Sequence, residues 1–254
     1  MKKSKAYSHD IPNASEFEDL RESWRIKMGD SRELREKAIQ LTIASNEFLY
    51  GYQWEWCGVP IIRHPDDIVL QQEIVWKLRP TRIVETGVAR GGSLVLSACL
   101  LEICGIKGRV LGLDIEIMQH AIDSLKPWLA RNRIEVLECD SASKIAVESV
   151  RNFLNDDVSP ALLILDSNHS HEHVLSELSV LGPLLPRGSI VIVTDTIIQE
   201  MPDGYYPDRP WGRGNNPRTA IIEFLNSNPE FEIDSRWSRR SLMGECRDGI
   251  LIKK

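Results

Sequence analysis

The sequence predicts an α/β domain with a mainly parallel sheet covered by helices on both faces. Three observations support this. Short apolar runs alternate with helical stretches from residue 82 onward. Four of the five core runs end in an aspartate, at Asp114, Asp140, Asp166 and Asp195, so an acid recurs with each strand–helix unit. The first run leads directly into a glycine-rich turn, Glu85-Thr-Gly87-Val-Ala-Arg-Gly91-Gly92-Ser93.

Taken in order, residues 1–49 are charged and helix-leaning, with Leu34, Ala38, Leu41 and Ala44 at helical spacing. They read as an N-terminal helical arm packed on the main domain, residues 50–254, and as an element suited to subunit contacts in a homo-oligomer. The stretch from Tyr50 to Ile68 is rich in aromatics, glycine and proline and is expected to be loop. Asp66 or Asp67 then caps a helix that Arg79-Pro80 ends. Core strands are expected at 82–86, 109–114, 134–140, 161–166 and 189–195, with helices between them. Two further candidates, 231–237 and 249–254, are joined by polar residues and are expected to form an antiparallel pair at the sheet's end.

Composition excludes several classes of function. The 254 residues carry a net charge of -6, which argues against non-specific nucleic-acid binding, since that needs a basic face. No stretch approaches the roughly 20 apolar residues of a membrane span. The basic start lacks the apolar stretch of a signal peptide. Five cysteines without a CxxC pair suggest neither a disulfide framework nor a zinc site, so a cytoplasmic location is expected.

The carboxyl ends of parallel strands share one edge, where ligands bind. The four aspartates therefore converge on one cleft. For any one of them the competing reading is a cap on the next helix. A series of four, above a glycine loop, points to a ligand site. That loop reads GxxxGG and lacks the central glycine of a pyrophosphate-binding GxGxxG. S-adenosylmethionine suits it. The amino-acid end is expected over Gly87, its carboxylate at the helix start near Gly92 and Ser93, with Glu85 and Gly91 completing the loop. Asp114 is placed to accept the ribose hydroxyls, and Asp140 with Ser141 to lie beside the adenine.

Asp166 and Asp195 have no lysine or arginine beside them in sequence, which suggests a hard cation with oxygen ligands. Such a cation, Mg2+ in the first instance, lowers the pKa of an acceptor hydroxyl and fixes it in line with the sulfonium. His169, three residues after Asp166, has the pKa range of a general base, and Asn168 offers a neutral ligand. The histidines also admit a transition-metal reading, including an Fe(II) site. Those iron ligands normally sit in an all-β barrel, however. His171 and His173 read as first-turn helix residues. His64 is open between acceptor contact and surface residue.

With these residues laid out, the chain resembles the cephalosporin hydroxylase family of methyltransferase-fold proteins, and is similar to metal-dependent macrolide-sugar O-methyltransferases. The matching stretches are Tyr52-Gln-Trp54, Pro65-Asp66-Asp67, LRPTRIVETGVARGGSL (78–94), GLDIE (112–116), LDSNHSHEHV (165–174) and VTDT (193–196), together spanning roughly residues 50–200. RPWGRGNNPRTAIIEFL (209–225) extends the likeness to members of polysaccharide clusters. The resemblance implies a class I S-adenosylmethionine-dependent methyltransferase fold, Rossmann-like, with an antiparallel terminal strand. It also implies Mg2+ on the fourth-strand acid and on a pair after the fifth strand, which places Asp166, Thr194 and Asp195 at the metal and His169 as base. The family's pair is acidic, whereas this chain has Thr194-Asp195, a weaker ligand set.

Residues 199–218 form a long segment with four prolines, three glycines and three aromatics, directly after the Asp195 strand. Loops of this length inside a domain are usually functional or disordered. Tyr205, Tyr206 and Trp211 are candidates to stack on a sugar, and Arg209 and Arg213 to meet an acidic group. Trp54 and Trp56 are either a second aromatic wall or packing anchors. The reading is an O-methyltransferase acting on a sugar, polysaccharide precursor or natural product, with a small-molecule or glycan acceptor. Its rivals are an Fe(II)/2-oxoglutarate hydroxylase, as the family name suggests, and a non-catalytic partner that keeps the fold.

Overall fold

The computed structural model describes residues 13–155 and 158–254, and the basic start of the arm lies outside them. In chain order the elements begin with α1 (Ala14–Gly29), α2 (Arg32–Asn46), β1 (Trp54–Trp56), β2 (Val59–Ile61) and α3 (Pro65–Leu78). The alternating core follows as β3 (Arg82–Thr86), α4 (Gly92–Ile103), β4 (Arg109–Asp114), α5 (Gln119–Leu129), β5 (Ile134–Glu138), α6 (Lys144–Leu154), β6 (Leu162–Leu165), α7 (His171–Leu181) and β7 (Ile190–Val193). The chain closes with α8 (Pro217–Ser227), β8 (Phe231–Ile233), α9 (Ser235–Ser238) and β9 (Ile250–Lys253).

Seven strands form one sheet in the order β5-β4-β3-β6-β7-β9-β8. The first five pair in parallel, while β9 runs antiparallel to both β7 and β8. This is the Rossmann-like arrangement expected, with the antiparallel pair at one end. Each sheet face buries its own apolar cluster. One face packs Leu70, Ile74, Leu94, Leu101 and Leu125 from α3, α4 and α5 against Ile83, Val110 and Ile192. The other packs Val150, Leu178 and Phe224 from α6, α7 and α8 against Val84, Leu163 and Val191. The alternation along each strand, Ile83 to one side and Val84 to the other, is the two-residue period of a strand buried on both faces.

Two expectations change at the amino-terminal side. The Tyr50–Ile68 stretch is not all loop, because β1 and β2 form a hairpin in it, joined by Cys57 and Gly58. The cap of α3 is His64 rather than either aspartate, with Pro65 at the first helical position. Pro65 suits that position because its missing N–H would be unpaired there in any case. Asp66 and Asp67 instead reach the chain's late loop, where they accept the backbone N–H groups of Leu242, Met243 and Glu245 at 2.8–3.0 Å.

The arm is helical as expected, but its buried face differs. Ala38 and Thr42 are buried, whereas Leu41 and Ala44 face outward. Helix α1 buries none of its residues.

Candidate active site

The chain leaves β3 toward β4 and β5, then crosses back through α6 to β6, so the strand order reverses between β3 and β6. A crevice opens at the carboxyl ends of strands at such a reversal. Here it is a cavity of about 650 Å³ whose wall includes the Gly87–Ser93 turn, Asp166, His169, Asp195 and the aromatic side chains Tyr205, Tyr206 and Trp211.

On the β4–β5 side the strand-end acids hold backbone. Asp114 accepts the N–H groups of Val88 at 2.7 Å, Ala89 at 3.3 Å and Glu116 at 3.2 Å, and so shapes the glycine turn. Its two oxygens keep lone pairs beyond these bonds, since an ionised carboxylate offers about four acceptor sites. Asp140 is exposed and accepts from Ala142 N at 2.9 Å. Ser141 is turned inward, donating to Glu177 Oε1 at 2.5 Å, and Ser167 donates to the same oxygen at 2.7 Å. The buried Glu177 thereby ties the end of β5 to the end of β6. Of the cofactor residues expected from sequence, Gly87, Gly91, Gly92 and Ser93 are on the cavity wall. Glu85, Asp114, Asp140 and Ser141 lie behind or beside it.

Gly87 has φ +90°, and a Cβ there would run into the carbonyl of Asp166. A Cβ on Gly92 would meet the carbonyl of Pro60. These glycines therefore let three backbone segments meet beside the cavity, in addition to any ligand approach.

On the β6–β7 side the acids crowd together. Asp166, His169 and Asp195 each offer a donor atom, and these atoms lie within 4.8 Å of one another. Asp195 has φ 56°, in the left-handed region, as it turns the chain out of β7. Arg63 donates to Asp166 Oδ2 at 3.2 Å and Thr194 donates to Oδ1 at 2.6 Å. Burial pushes the Asp166 carboxyl above its ordinary pKa against the pull of Arg63, and the neighbouring Asp195 adds to the rise. His169 Nε2 stands 3.7 Å from Asp195 Oδ2, and its ring meets Trp211 edge-on at 5.0 Å. Two carboxylates at this spacing, with an imidazole beside them, fit a divalent cation that takes oxygen ligands.

Thr194 stands elsewhere than the sequence suggested. Its hydroxyl is buried and donates to Asp166, with the carbonyl of Leu165 3.1 Å away. It buttresses the carboxylate from behind instead of facing the cavity. Nor do the three histidines converge. His171 bonds Thr219 and Glu223, and His173 contacts Ser141 and Ser167. That separation removes the geometric basis for a multi-histidine iron site.

Three residues were missed or left open by sequence reasoning. Arg63, almost fully buried, links Asp166 to Glu85 at 3.1 Å and Gln71 at 2.6 Å. Burial raises Glu85 to a pKa of about 7 despite the pull of Arg63. His64, buried, places Nδ1 2.5 Å from the Met243 carbonyl, so that nitrogen carries the proton, and Nε2 faces Glu245 at 3.7 Å. Glu245 is the third carboxylate on the cavity wall. Its carbonyl accepts from Thr196 Oγ1 at 3.0 Å and Ile197 N at 3.1 Å, which docks it against the turn that follows Asp195. Burial and the charge of Asp195 push it well above the ordinary carboxylate range. Of the three only His64 was singled out from the sequence, because contacts across some 180 residues leave no local pattern.

The 199–218 segment is ordered by the residues around it. Asn216 caps α8 and reaches Gln199 at 2.6 Å and Gly212 O at 2.8 Å. The Asn46 amide at the end of α2 donates to Tyr205 Oη at 3.2 Å, so the arm supports this wall. Arg209 is on the wall above Trp211, whereas Arg213 pairs with Asp203 outside it. Trp56 packs against the core and Trp54 meets Tyr50 edge-on at 5.4 Å. Neither tryptophan lines the cavity.

Comparison with known proteins identifies the family of the chain. The family model for rhamnosyl O-methyltransferase/CmcI matches residues 48–254. A rhamnosyl O-methyltransferase of Mycobacterium leprae (strain TN) is 29% identical over 215 residues, covering 82% of this chain and 89% of that protein. A rhamnosyl O-methyltransferase of Mycobacterium tuberculosis (strain ATCC 25618 / H37Rv) is 29% identical over 201 residues, covering 78% of this chain and 77% of the other. A solved structure described as CmcI with Mg and SAM has the same fold, with a TM-score of 0.57 at 22% identity over 80% of this chain and 77% of that one. The chain belongs to the rhamnosyl O-methyltransferase/CmcI family.

Proposed function

We propose that this protein is an S-adenosylmethionine-dependent O-methyltransferase that acts, with a divalent cation, on a hydroxyl of a sugar. The observation that carries the reading is the meeting of two half-sites in one cavity, a glycine turn at the β3–β6 reversal and the Asp166–His169–Asp195 cluster beside it. The family's rhamnosyl O-methyltransferases support the reaction class and a glycan acceptor.

S-adenosylmethionine, when bound, supplies an electrophilic methyl group. Gly87, Gly91, Gly92 and Ser93 would receive its amino-acid end, and the free lone pairs of Asp114 its ribose. A divalent cation, when bound, lowers the pKa of the acceptor hydroxyl. Asp166 and Asp195 would hold it, and Glu245 is a better candidate than Thr194 for a further ligand. His169 takes the hydroxyl proton at Nε2, and Asp195 stabilises the imidazolium that results. Tyr205, Tyr206 and Trp211 close the acceptor side and exclude water.

Residues 1–49 act as a supporting arm, a division consistent with a family match that begins at residue 48. Among the described residues no helix is long and apolar enough to cross a membrane. A cytoplasmic enzyme without nucleic-acid partners, joined to its copies through the arm, is the corresponding cellular reading. The test is transfer of labelled methyl from S-adenosylmethionine to rhamnosyl glycosides, with and without a chelator. Transfer that a chelator abolishes is expected, and no transfer to any glycoside would refute the acceptor class.

A further inference from the structure

The β1–β2 turn holds a cysteine where its backbone is disfavoured. Trp56 pairs with Val59, so Cys57 and Gly58 form a two-residue hairpin loop with φ of 52° and 78°. Both central residues of such a turn lie in the left-handed region, where Asn-Gly or Asp-Gly is the usual choice. A cysteine gains none of the local hydrogen bonding that lets asparagine tolerate this conformation. Strained positions of this kind persist where a side chain is needed in a particular place.

The place is specific. Cys57 Sγ lies 3.9 Å from Cys99 Sγ, across from a helix 42 residues later in the chain. Cys57 is exposed and Cys99 is buried in α4, so one thiol meets solvent and the other waits beneath it. Burial pushes the Cys99 thiol up, which favours Cys57 as the sulfur that reacts first. The sulfurs need to approach by about 2 Å to bond.

We propose that Cys57 and Cys99 are a modification site, a thiol pair that peroxides convert to a disulfide. The Cys57 thiol gives up its proton, its sulfur attacks one oxygen of the peroxide, and the O–O bond breaks. A sulfenic acid forms while the leaving hydroxide takes up the proton and departs as water. The Cys99 sulfur then attacks the Cys57 sulfur, the S–S bond forms, and the S–O bond breaks with release of a second water. Two thiols and one hydrogen peroxide thus give one disulfide and two waters. A dithiol reductant returns both thiols by exchange. The bond joins the hairpin, whose strand β2 supplies Pro60 on the cavity wall, to α4, which starts at the glycine turn. Two walls of the cavity that already touch at Gly92 and Pro60 become covalently tied.

The test uses the reduced full-length protein treated with a small excess of hydrogen peroxide. Intact mass should fall by two hydrogen atoms, and peptide mapping should recover a Cys57–Cys99 linked pair that a dithiol reductant releases. Amide exchange in residues 54–61 should slow on oxidation. Cys57→Asn, which puts a favoured residue in the turn, should fold at least as stably and form no link with Cys99. Oxidation of Cys57 to sulfinic acid without a linked peptide would overturn the proposal. So would equally slow hairpin exchange before and after oxidation.

Discussion

The two halves of the sheet's carboxyl edge use the same residue type in opposite ways. At the β4 and β5 ends, Asp114 and Asp140 are engaged by backbone N–H groups, four between them. At the β6 and β7 ends, Asp166 and Asp195 lie close to each other and share the cavity with Glu245, while Arg63 answers only one side of Asp166. In the first pair Asp114 shapes the glycine turn and Asp140 the start of the segment after β5. The second crowds carboxyl groups whose burial and mutual repulsion raise their pKa, and a divalent cation would favour their ionised forms. Position at a strand end therefore says where an acid will be, and its neighbours say what it is for.

The comparison is sharpest at the crowded end. Asp195→Asn should lower turnover by about 10³-fold, because several kcal/mol of charge stabilisation depends on the cation it holds. Steady-state rates against those of Asp114→Asn would check this, the latter being expected to raise the KM for S-adenosylmethionine instead. Arg63→Met should cost about 3–5 kcal/mol in denaturant unfolding, since it leaves the buried Glu85 without its partner.

A pH effect follows from the same pair. The folded pKa of Glu85, about 7, lies above its ordinary value, so the folded chain binds more protons than the unfolded chain between about pH 4.5 and 7. Stability should therefore fall as pH rises through that window, by up to about 3 kcal/mol. Glu85→Gln should flatten the curve in chemical unfolding measured across it. The smallest effect belongs to the acceptor side. Asn216→Ala removes the α8 cap and should cost about 1 kcal/mol, visible as a lower Tm.

Much of this architecture was legible in the sequence. The strands 82–86 and 109–114 are where alternation and the terminal acids put them, and the antiparallel pair stands at the sheet's end. Parallel core strands are readable because each buries both faces and so becomes an uninterrupted apolar run. The hairpin at Trp54–Ile61 was missed because Cys57 stands where such a turn usually has Asn or Asp before its glycine. Thr194 illustrates a different limit. Its place in sequence beside Asp195 suggested a ligand, but β7 ends at Val193 and the chain turns at Asp195 with φ 56°, and the Thr194 hydroxyl ended behind Asp166. Arg63, His64 and Glu245 meet through long-range contacts that no local pattern encodes.

The division of the acids is tested most directly by calorimetric titration of S-adenosylmethionine into the native protein and Asp166→Asn, each with and without Mg2+. The native protein should bind the cofactor in both conditions and bind Mg2+ with it. Asp166→Asn should keep the cofactor affinity within a few-fold and lose the Mg2+ signal. Loss of cofactor binding in Asp166→Asn, or no cofactor binding by the native protein, would contradict the account.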